Sequence, residues 1–138
     1  IGARGEYLVV HHRVDSAHPV GPLGVVGAGV VVVDAAAISQ TGMRESLESA
    51  IPGGVEEAHL HIDLDVLNPG EAPANGFVTE NVGLSVKELS EAIGLSKENL
   101  KITSATFASF DPNYDPQGKT LGAALNLIKQ IINGENIS

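Results

Sequence analysis

Hydrophobic positions along the chain form short runs and helical periodicities, with no single long apolar stretch. Runs rich in β-branched and aromatic residues predict four strands, at residues 7–10, 25–33, 58–65 and 101–110. Apolar residues at helical spacing predict three helices, at residues 43–51, 86–93 and 120–132. Thr41 is the predicted N-cap of the first helix. Ser85 and Glu88 form a predicted capping box for the second helix, which Gly94 is predicted to end.

Strands and helices that alternate along a chain predict a parallel β-sheet with helices packed on both of its faces. The run at residues 25–33 is almost continuously apolar and β-branched, which is typical of a strand buried on both faces of such a sheet. Ligands of parallel sheets bind beyond the carboxyl ends of the strands. The sequence therefore predicts a binding site in the segments that follow the strands, above all in the Gly/Pro/Asn-rich loop at residues 68–82.

Composition and charge narrow the possible functions. The 138 residues are 43% hydrophobic, which fits one globular domain, and 8 Lys and Arg against 17 Asp and Glu give a net charge of −9. An acidic chain argues against nucleic-acid binding, and no apolar run approaches the roughly 20 residues that span a bilayer. The chain contains no Cys, so a metal site would have to use His, carboxylate or backbone oxygen.

The residues best suited to chemistry lie at the end of the third predicted strand. Four polar residues alternate there with apolar ones, namely His59, His61, Asp63 and Asp65. Alternate residues of a strand share a face, so one face would be polar and the other would join the core. Two carboxylates at a strand end suit a divalent cation such as Mn²⁺, and two ions that share them could activate a bridging water. The pattern leaves open a second interpretation, in which the aspartates only end the strand and backbone groups satisfy the histidines.

Three segments resemble the arginase and agmatinase (ureohydrolase) family. Residues 59–69 read HLHIDLDVLNP and lead through a Gly-containing loop into Gly83-Leu84-Ser85, which is similar to the family's C-terminal metal motif. Residues 110–120, FDPNYDPQGKT, are similar to its Val-Asn-Pro-x-x-Asp-x-x-x-x-Thr segment. Residues 1–4, IGAR, resemble its Ile-Gly-x-Arg strand end. The segments occur in the family's order and span nearly the whole chain, so together they are more specific than any one of them.

The resemblance implies a three-layer α/β/α fold, with residues 1–138 as a single domain from the C-terminal part of a longer chain. It implies a manganese-dependent hydrolase of C–N bonds in linear amidines or guanidino compounds, of the arginase, agmatinase or formimidoylglutamase type. Asp63 and Asp65 would be ligands of two Mn²⁺ ions, whose bridging water attacks the amidine carbon. His59 and His61 are candidates for orienting these carboxylates, and the loop at residues 68–82 would form the rim that selects the substrate.

Departures from the family pattern limit what the resemblance implies. The family's other metal ligands, one His and an Asp-x-His-x-Asp segment, would lie before Ile1 and are not found in this sequence. Ser109 is the substrate-binding position at which guanidino-substrate members carry a Glu, and a hydroxyl cannot form a bidentate ion pair with a guanidinium. Asn68 replaces the third Asp of the metal motif, a change that a turn can accommodate.

Two functional hypotheses follow. The first is a cytoplasmic metal-dependent hydrolase that acts on a small-molecule amidine or amide, as a homo-oligomer or in association with the missing N-terminal half. The second is a non-catalytic ureohydrolase-like domain that acts in assembly or regulation. Neither involves nucleic acid or a membrane. A metal- or ligand-binding module of unrelated α/β type is disfavoured by the three ordered segments.

Overall fold

The computed structural model of the chain describes residues 7–11, 30–51, 53–77 and 83–133. Contacts divide the chain into two compact units, Ile1–Glu56 and Glu57–Ser138. The first unit contains the strands β1 (Tyr7–His11) and β2 (Val30–Asp34) and the helices α1 (Ala35–Thr41) and α2 (Met43–Ala50). The second unit contains β3 (Glu57–Asp63), α3 (Val86–Asn99), β4 (Lys101–Ala108) and α4 (Lys119–Asn133). Two 3₁₀ turns, Leu64–Val66 and Pro112–Tyr114, follow β3 and β4.

In the first unit, β1 and β2 pair antiparallel, with Tyr7 opposite Asp34 and His11 opposite Val30. The strand predicted at residues 25–33 is present as β2, while residues 25–29 lie outside the described ranges. This antiparallel pair departs from a wholly parallel sheet. Parallel neighbours need a crossover connection, which is usually a helix. The sequence predicts no helix between these two strands, so an antiparallel pairing is the simpler arrangement.

Among its described residues, the first unit contains a helix that the sequence does not predict, α1. α1 follows β2 directly and begins with three consecutive alanines, the residue with the highest helix propensity. Thr41 is the last residue of α1, where its hydroxyl donates to the carbonyl oxygen of Ala37 (3.0 Å), and Gly42 is the N-cap of α2. The prediction that Thr41 caps α2 is therefore wrong, although α2 begins at Met43 as predicted.

In the second unit, β3 and β4 are parallel, as the sequence predicts. The register shifts once between Ala58 and His59, and the ladder ends with Asp63 opposite Ala108. A parallel register brings the carboxyl ends of both strands to the same edge of the sheet. The segments that follow Asp63 and Ala108 therefore start side by side.

The core of the second unit is built from β3, β4, α3, α4 and the loop that follows β3. Its buried side chains are Ile62, Leu64, Leu67, Ala72, Ala74, Leu89, Ile93, Ala124 and Leu127. Two of them belong to the loop, where Ala72 is 1% exposed and Ala74 is 3% exposed. The loop cannot move away without exposing these methyl groups to water, so burial holds its polar residues in place.

α3 begins at the predicted capping box. The Ser85 hydroxyl accepts from the Glu88 N–H (3.1 Å), and the Glu88 carboxylate accepts from the Ser85 N–H (2.8 Å). The prediction that Gly94 ends this helix is wrong, because Leu95 and Ser96 extend the buried face and the helix continues to Asn99. Burying a leucine side chain contributes about 1.5–3 kcal/mol, which outweighs the loss of about 1 kcal/mol for a glycine inside a helix.

Polar side chains join α3 to α4. The Ser90 hydroxyl donates to Oε1 of Gln130 (3.0 Å), and Nε2 of Gln130 donates back to the Ser90 carbonyl oxygen (2.9 Å). Both residues are buried, and the reciprocal bonds satisfy groups that would otherwise be costly to remove from water. Among the helices described, none is both long enough and apolar enough to cross a membrane.

The capping box predicts a pH-dependent contribution to stability. Hydrogen bonds from the Ser85 backbone N–H and the Ser85 hydroxyl lower the pKa of Glu88 from its usual 4.5. A carboxyl group with a lowered pKa in the folded chain stabilises it above the unfolded pKa, and the contribution is lost as the pH falls through the folded value. We expect Glu88→Gln to lower the free energy of unfolding at pH 7 by about 0.3–1 kcal/mol.

Urea unfolding at pH values from neutral to acid measures this contribution. The difference between wild type and Glu88→Gln should shrink and disappear once the pH is below the lowered pKa of Glu88. Glu91→Gln is the charge-matched control, because Glu91 is exposed on the same helix but lies outside the capping box. An equal pH-dependent difference for both variants would contradict the capping role of Glu88.

Candidate functional site

The end of β3 presents polar side chains on one face and apolar side chains on the other. His59, His61 and Asp63 are exposed, whereas Ile62 is buried and Leu60 packs against the core. The predicted alternation is therefore confirmed as far as Asp63. It places both histidines and the first aspartate on the same face of the strand.

Asp65 does not continue this row, because the strand ends two residues earlier than predicted. β3 ends at Asp63, and the next three residues form a 3₁₀ turn. Residues three apart in such a turn lie on one side, which brings Leu64 (2% exposed) and Leu67 (1% exposed) into the core together. Asp65 is half-buried on this turn. The prediction that it lies on the strand is wrong, but it still follows the carboxyl end of β3.

The chain returns to the end of β3 at Gly83. The Leu84 N–H donates to the Val66 carbonyl oxygen, and the Asn68 N–H donates to the Leu84 carbonyl oxygen, each at 2.9 Å. Gly83 has a φ of +138°, and a Cβ at this position would lie 2.5 Å from the backbone nitrogen of Asn68. The close approach of these two backbone segments therefore requires the glycine of the Gly-Leu-Ser motif.

Asn68 organises the first turn of the loop after β3. Its Oδ1 accepts from the Gly70 N–H (2.8 Å), and its carbonyl oxygen accepts from the N–H groups of Glu71 and Ala72 (both 2.9 Å). An Asp would offer the same acceptor oxygen, so the turn accommodates an Asn at the third acidic position of the motif. The exchange removes one negative charge from this edge of the sheet.

Hydrogen bonds fasten the loop to the segment that follows β4. The Thr120 hydroxyl donates to the Pro73 carbonyl oxygen (2.9 Å), and the Asp111 N–H donates to the Ala74 carbonyl oxygen (2.8 Å). Thr120 is fully buried. Two of the segments that resemble the family are thus joined in space through the loop, whereas the third, at residues 1–4, lies outside the described residues.

Asn75 is a residue of this region that no sequence motif identifies. Its Nδ2 donates to Oδ2 of Asp65 (3.2 Å) and to the Ser109 carbonyl oxygen (3.0 Å). Its Oδ1 accepts from the Phe77 N–H (2.9 Å). Asn is a common turn residue in Gly/Pro-rich loops, so the sequence gives no sign that this one contacts two distant segments.

Ser109 follows β4 at the position where the resemblance places a substrate-binding Glu. It is exposed, and its φ of +62° lies in the left-handed region that side chains other than glycine rarely adopt. Its carbonyl oxygen accepts the hydrogen bond from Asn75. The end of β4 therefore offers a neutral hydroxyl, and the role of Ser109 in substrate binding stays a prediction.

The two histidines on β3 have different surroundings. Nδ1 of His59 lies 2.7 Å from the Ser104 hydroxyl oxygen, and its Nε2 lies 3.1 Å from the Thr106 hydroxyl oxygen. Both partners are on β4. His61 is exposed and is next to Asp63 on the same face of the strand. The role of the two histidines in orienting carboxylates stays a prediction.

The carboxylates of Asp63 and Asp65 are the oxygen donors that the sequence predicts for a metal at the end of β3. Within the described ranges, no group of three or more His, Cys, Asp or Glu side chains is arranged to hold a metal ion. Hard divalent cations prefer oxygen ligands, so the two aspartates fit part of a coordination shell and leave several positions to other donors. Their assignment as metal ligands stays a prediction.

Comparison with known proteins identifies the family. Residues 24–133 match the model of the arginase family. The arginase of Bacillus subtilis is 29% identical over 107 residues, which are 76% of this chain and 36% of that protein. The agmatinase of Halalkalibacterium halodurans is 36% identical over 77 residues, which are 55% of this chain and 26% of that protein. The chain therefore belongs to the arginase family.

Solved structures agree with the predicted fold class. The arginase of Bacillus caldovelox superimposes with a TM-score of 0.64 at 29% identity, over 75% of this chain and 35% of that one. The formiminoglutamase of Trypanosoma cruzi shares the fold, with a TM-score of 0.60 at 17% identity. The fold class is the three-layer α/β/α ureohydrolase type. The chain spans 35% of the Bacillus caldovelox arginase and 34% of the formiminoglutamase.

The close backbone approach at Gly83 gives a direct test of the site's architecture. Gly83→Ala should lower the free energy of unfolding by about 2 kcal/mol, because the new methyl group meets backbone atoms that cannot rotate away. Gly122→Ala is the matched control. A Cβ at Gly122 in α4 meets nothing within 4 Å, so this variant should be more stable than wild type by about 0.5–1 kcal/mol. Urea unfolding of both variants measures the effect, and equal stability of the two would contradict the described approach.

Proposed function

We propose that this chain is the C-terminal part of a manganese-dependent ureohydrolase that hydrolyses a C–N bond of a linear amidine or guanidino compound. The observation that carries the proposal is the junction beyond the carboxyl ends of β3 and β4, where hydrogen bonds join Asp65, Asn75 and Ser109. Ligands of parallel α/β sheets bind at this edge. Membership of the arginase family, with relatives named arginase and agmatinase, supports the hydrolytic reaction.

Asp63 and Asp65 are the residues of this chain that would hold the metal. A pair of divalent ions, when bound, makes a water molecule acidic enough to act as a nucleophile near neutral pH. Such ions take about six ligands each, so two aspartates supply only a fraction of the shell. The proposal therefore requires further ligands from a polypeptide that carries the upstream strands, beyond the residues of this sequence.

The loop after Asn68 would form the rim of the substrate pocket. Phe77, next to Gly76 in this loop, is 87% exposed. Tyr114 is 51% exposed and lies against Gly76, where a Cβ would come within 2.5 Å of its hydroxyl oxygen. Exposed aromatic side chains beside a polar junction suit the apolar part of a small molecule, while the junction itself meets its polar end.

Ser109 favours a substrate that does not place a guanidinium at this position. Charge-assisted bidentate bonds from a guanidinium need a carboxylate, and Ser109 provides only a hydroxyl. Within the ureohydrolase reactions, we therefore favour a linear amidine or amide, whose polar end is held by hydrogen bonds, over a guanidino compound that needs an ion pair here. The net charge of −9 is compatible with a small-molecule substrate and unfavourable for nucleic acid.

A second candidate is a non-catalytic ureohydrolase-like domain that acts in assembly or regulation. It is favoured by two features of the described residues. Asp63 and Asp65 supply too few ligands for a metal pair, and the neutral Ser109 stands at the substrate position. The two candidates differ in what surrounds the chain. If a polypeptide with an Asp-x-His-x-Asp segment accompanies this chain, the metal site can be complete and the enzyme is favoured. If the chain performs its role without such a segment, the non-catalytic domain is favoured.

Mn²⁺ titration by calorimetry tests the proposed half-site. The 138-residue chain alone should bind Mn²⁺ loosely, with a Kd of about 10⁻⁴–10⁻³ M, because most of the shell would be water. Asp63→Asn with Asp65→Asn should abolish this binding, while Glu56→Gln with Glu57→Gln is a charge-matched control that should retain it. The chain alone should hydrolyse no amidine. Adding a polypeptide with the upstream strands should tighten binding and produce hydrolysis.

Tight binding of two Mn²⁺ ions by the chain alone, with hydrolysis and no second polypeptide, would contradict the half-site. His11, His12 and His18 would then be the first residues to reconsider as the remaining ligands. The side chains of these histidines are not among those described, and His12 and His18 lie wholly outside the described ranges. Failure to bind Mn²⁺ even with the upstream strands present would favour the non-catalytic candidate.

Substrate preference tests the assignment of Ser109. Arginine and agmatine should be poor substrates of the completed site, because the missing charge-assisted contact costs a few kcal/mol, or about two orders of magnitude in kcat/KM. Ser109→Glu should raise kcat/KM for agmatine, whereas Ser109→Gln, of similar size without charge, should not. Urea release from either compound by the wild type at about 1–10³ s⁻¹ would show that another group pairs with the guanidinium.

A further inference from the structure

Asn75 connects its own loop with the turn after β3 and with the segment that follows β4. Its side-chain amide nitrogen donates one hydrogen bond to Oδ2 of Asp65, in the turn after β3, and one to the Ser109 carbonyl oxygen, after β4. The same side chain accepts from the Phe77 N–H with its oxygen, which fixes the orientation of the amide group. One side chain thus uses both donor hydrogens of its NH₂ group and its acceptor oxygen.

We propose that Asn75 is a positioning residue that holds the Asp65 carboxylate for a divalent cation and locks it to the end of β4. This inference rests on the proposed function, since it assigns Asp65 as a metal ligand. Outer hydrogen-bond partners of a ligating carboxylate fix its orientation and commonly change metal affinity by about 10–100-fold when removed. Asn75 also donates to the Ser109 carbonyl oxygen, which is its second anchor. A single side chain therefore holds both the metal position at Asp65 and the substrate position at Ser109.

The backbone around Asn75 is suited to this role. Ala74, its immediate neighbour, is 3% exposed in the core, and the Ala74 carbonyl oxygen accepts from the Asp111 N–H (2.8 Å). The Pro73 carbonyl oxygen accepts from the buried Thr120 hydroxyl (2.9 Å). Asn75 therefore extends from a backbone that core packing and two hydrogen bonds already fix. A side chain on such a support can hold a carboxylate in one orientation at little further entropic cost.

The Ser109 conformation explains why the second anchor matters. Ser109 has a left-handed φ of +62°, which persists only where the surrounding structure holds it. The hydrogen bond from Asn75 Nδ2 to the Ser109 carbonyl oxygen is one such restraint. The loss of Asn75 should therefore loosen the end of β4 as well as the Asp65 carboxylate.

Mn²⁺-induced broadening of backbone amide resonances tests this proposal on the full 138-residue chain. Titrating Mn²⁺ into wild type should broaden the amides of residues 63–66, and the dependence on Mn²⁺ concentration gives the affinity. Asn75→Ala should weaken the apparent affinity about tenfold. The side-chain NH₂ protons of Asn75 should also exchange slowly with solvent in the metal-free wild type, because both are hydrogen-bonded.

Gln130→Ala separates positioning from a general loss of stability. Gln130 lies on α4 and is 2% exposed. Its removal breaks two buried hydrogen bonds to Ser90 of α3, at positions far from β3 in the sequence. Thermal unfolding should show that Gln130→Ala loses at least as much stability as Asn75→Ala. Its Mn²⁺ affinity should nevertheless stay within twofold of wild type, a result that a merely structural role of Asn75 would not produce.

These outcomes distinguish the positioning role of Asn75 from the proposed function. Mn²⁺ affinity of Asn75→Ala within twofold of wild type, or an equal loss in Gln130→Ala, would overturn the positioning role while leaving the proposed function intact. A wild-type chain that shows no broadening at residues 63–66, even with the upstream strands added, would overturn the proposed function. In that case, fast exchange of the Asn75 NH₂ protons would show that Asn75 does not hold Asp65 and Ser109 by hydrogen bonds. Slow exchange would show that these hydrogen bonds form but have a purely structural role.

Discussion

Ala72 and Ala74 are buried in the core, and their burial fixes the position of the loop that carries the polar residues of the site. A loop with a Gly/Pro-rich composition would ordinarily lie on the surface and vary in conformation. Here two small apolar side chains enter the core beside Leu64 and Leu67, and the loop backbone follows them. The neighbouring carbonyl oxygens then meet donors from the segment after β4. Packing of a few methyl groups thus positions the polar atoms that the proposed chemistry needs.

Much of this arrangement can be predicted from the sequence, where local signals and global packing agree. The parallel pairing of β3 and β4 follows from the alternation of strands and helices, and the Ser85 capping box has a local pattern that the structure reproduces. The predictions fail where burial outweighs a local signal. Gly94 is a poor helix residue but lies between buried positions, and Asp65 leaves the strand because Leu64 and Leu67 enter the core together.

Asn75 illustrates a different limit of sequence reasoning. Its importance depends on contacts with Asp65, ten residues earlier, and with Ser109, thirty-four residues later. No periodicity or spacing in the chain encodes such a contact, because it arises only when two strand ends are brought to the same edge of a sheet. The opposite holds for Ser109, which is identified by its position in a motif and whose left-handed backbone conformation becomes apparent only in the structure.

Anomalous diffraction at the manganese absorption edge would show directly whether this chain provides one part of a divalent-metal site at the ends of β3 and β4. Crystals of the chain with its upstream strands, grown in Mn²⁺, are the appropriate sample. We expect anomalous density within coordination distance of carboxylate oxygens of Asp63 and Asp65, with Asn75 hydrogen-bonded to Asp65. Anomalous density at other residues only, with both aspartates free of metal, would contradict it.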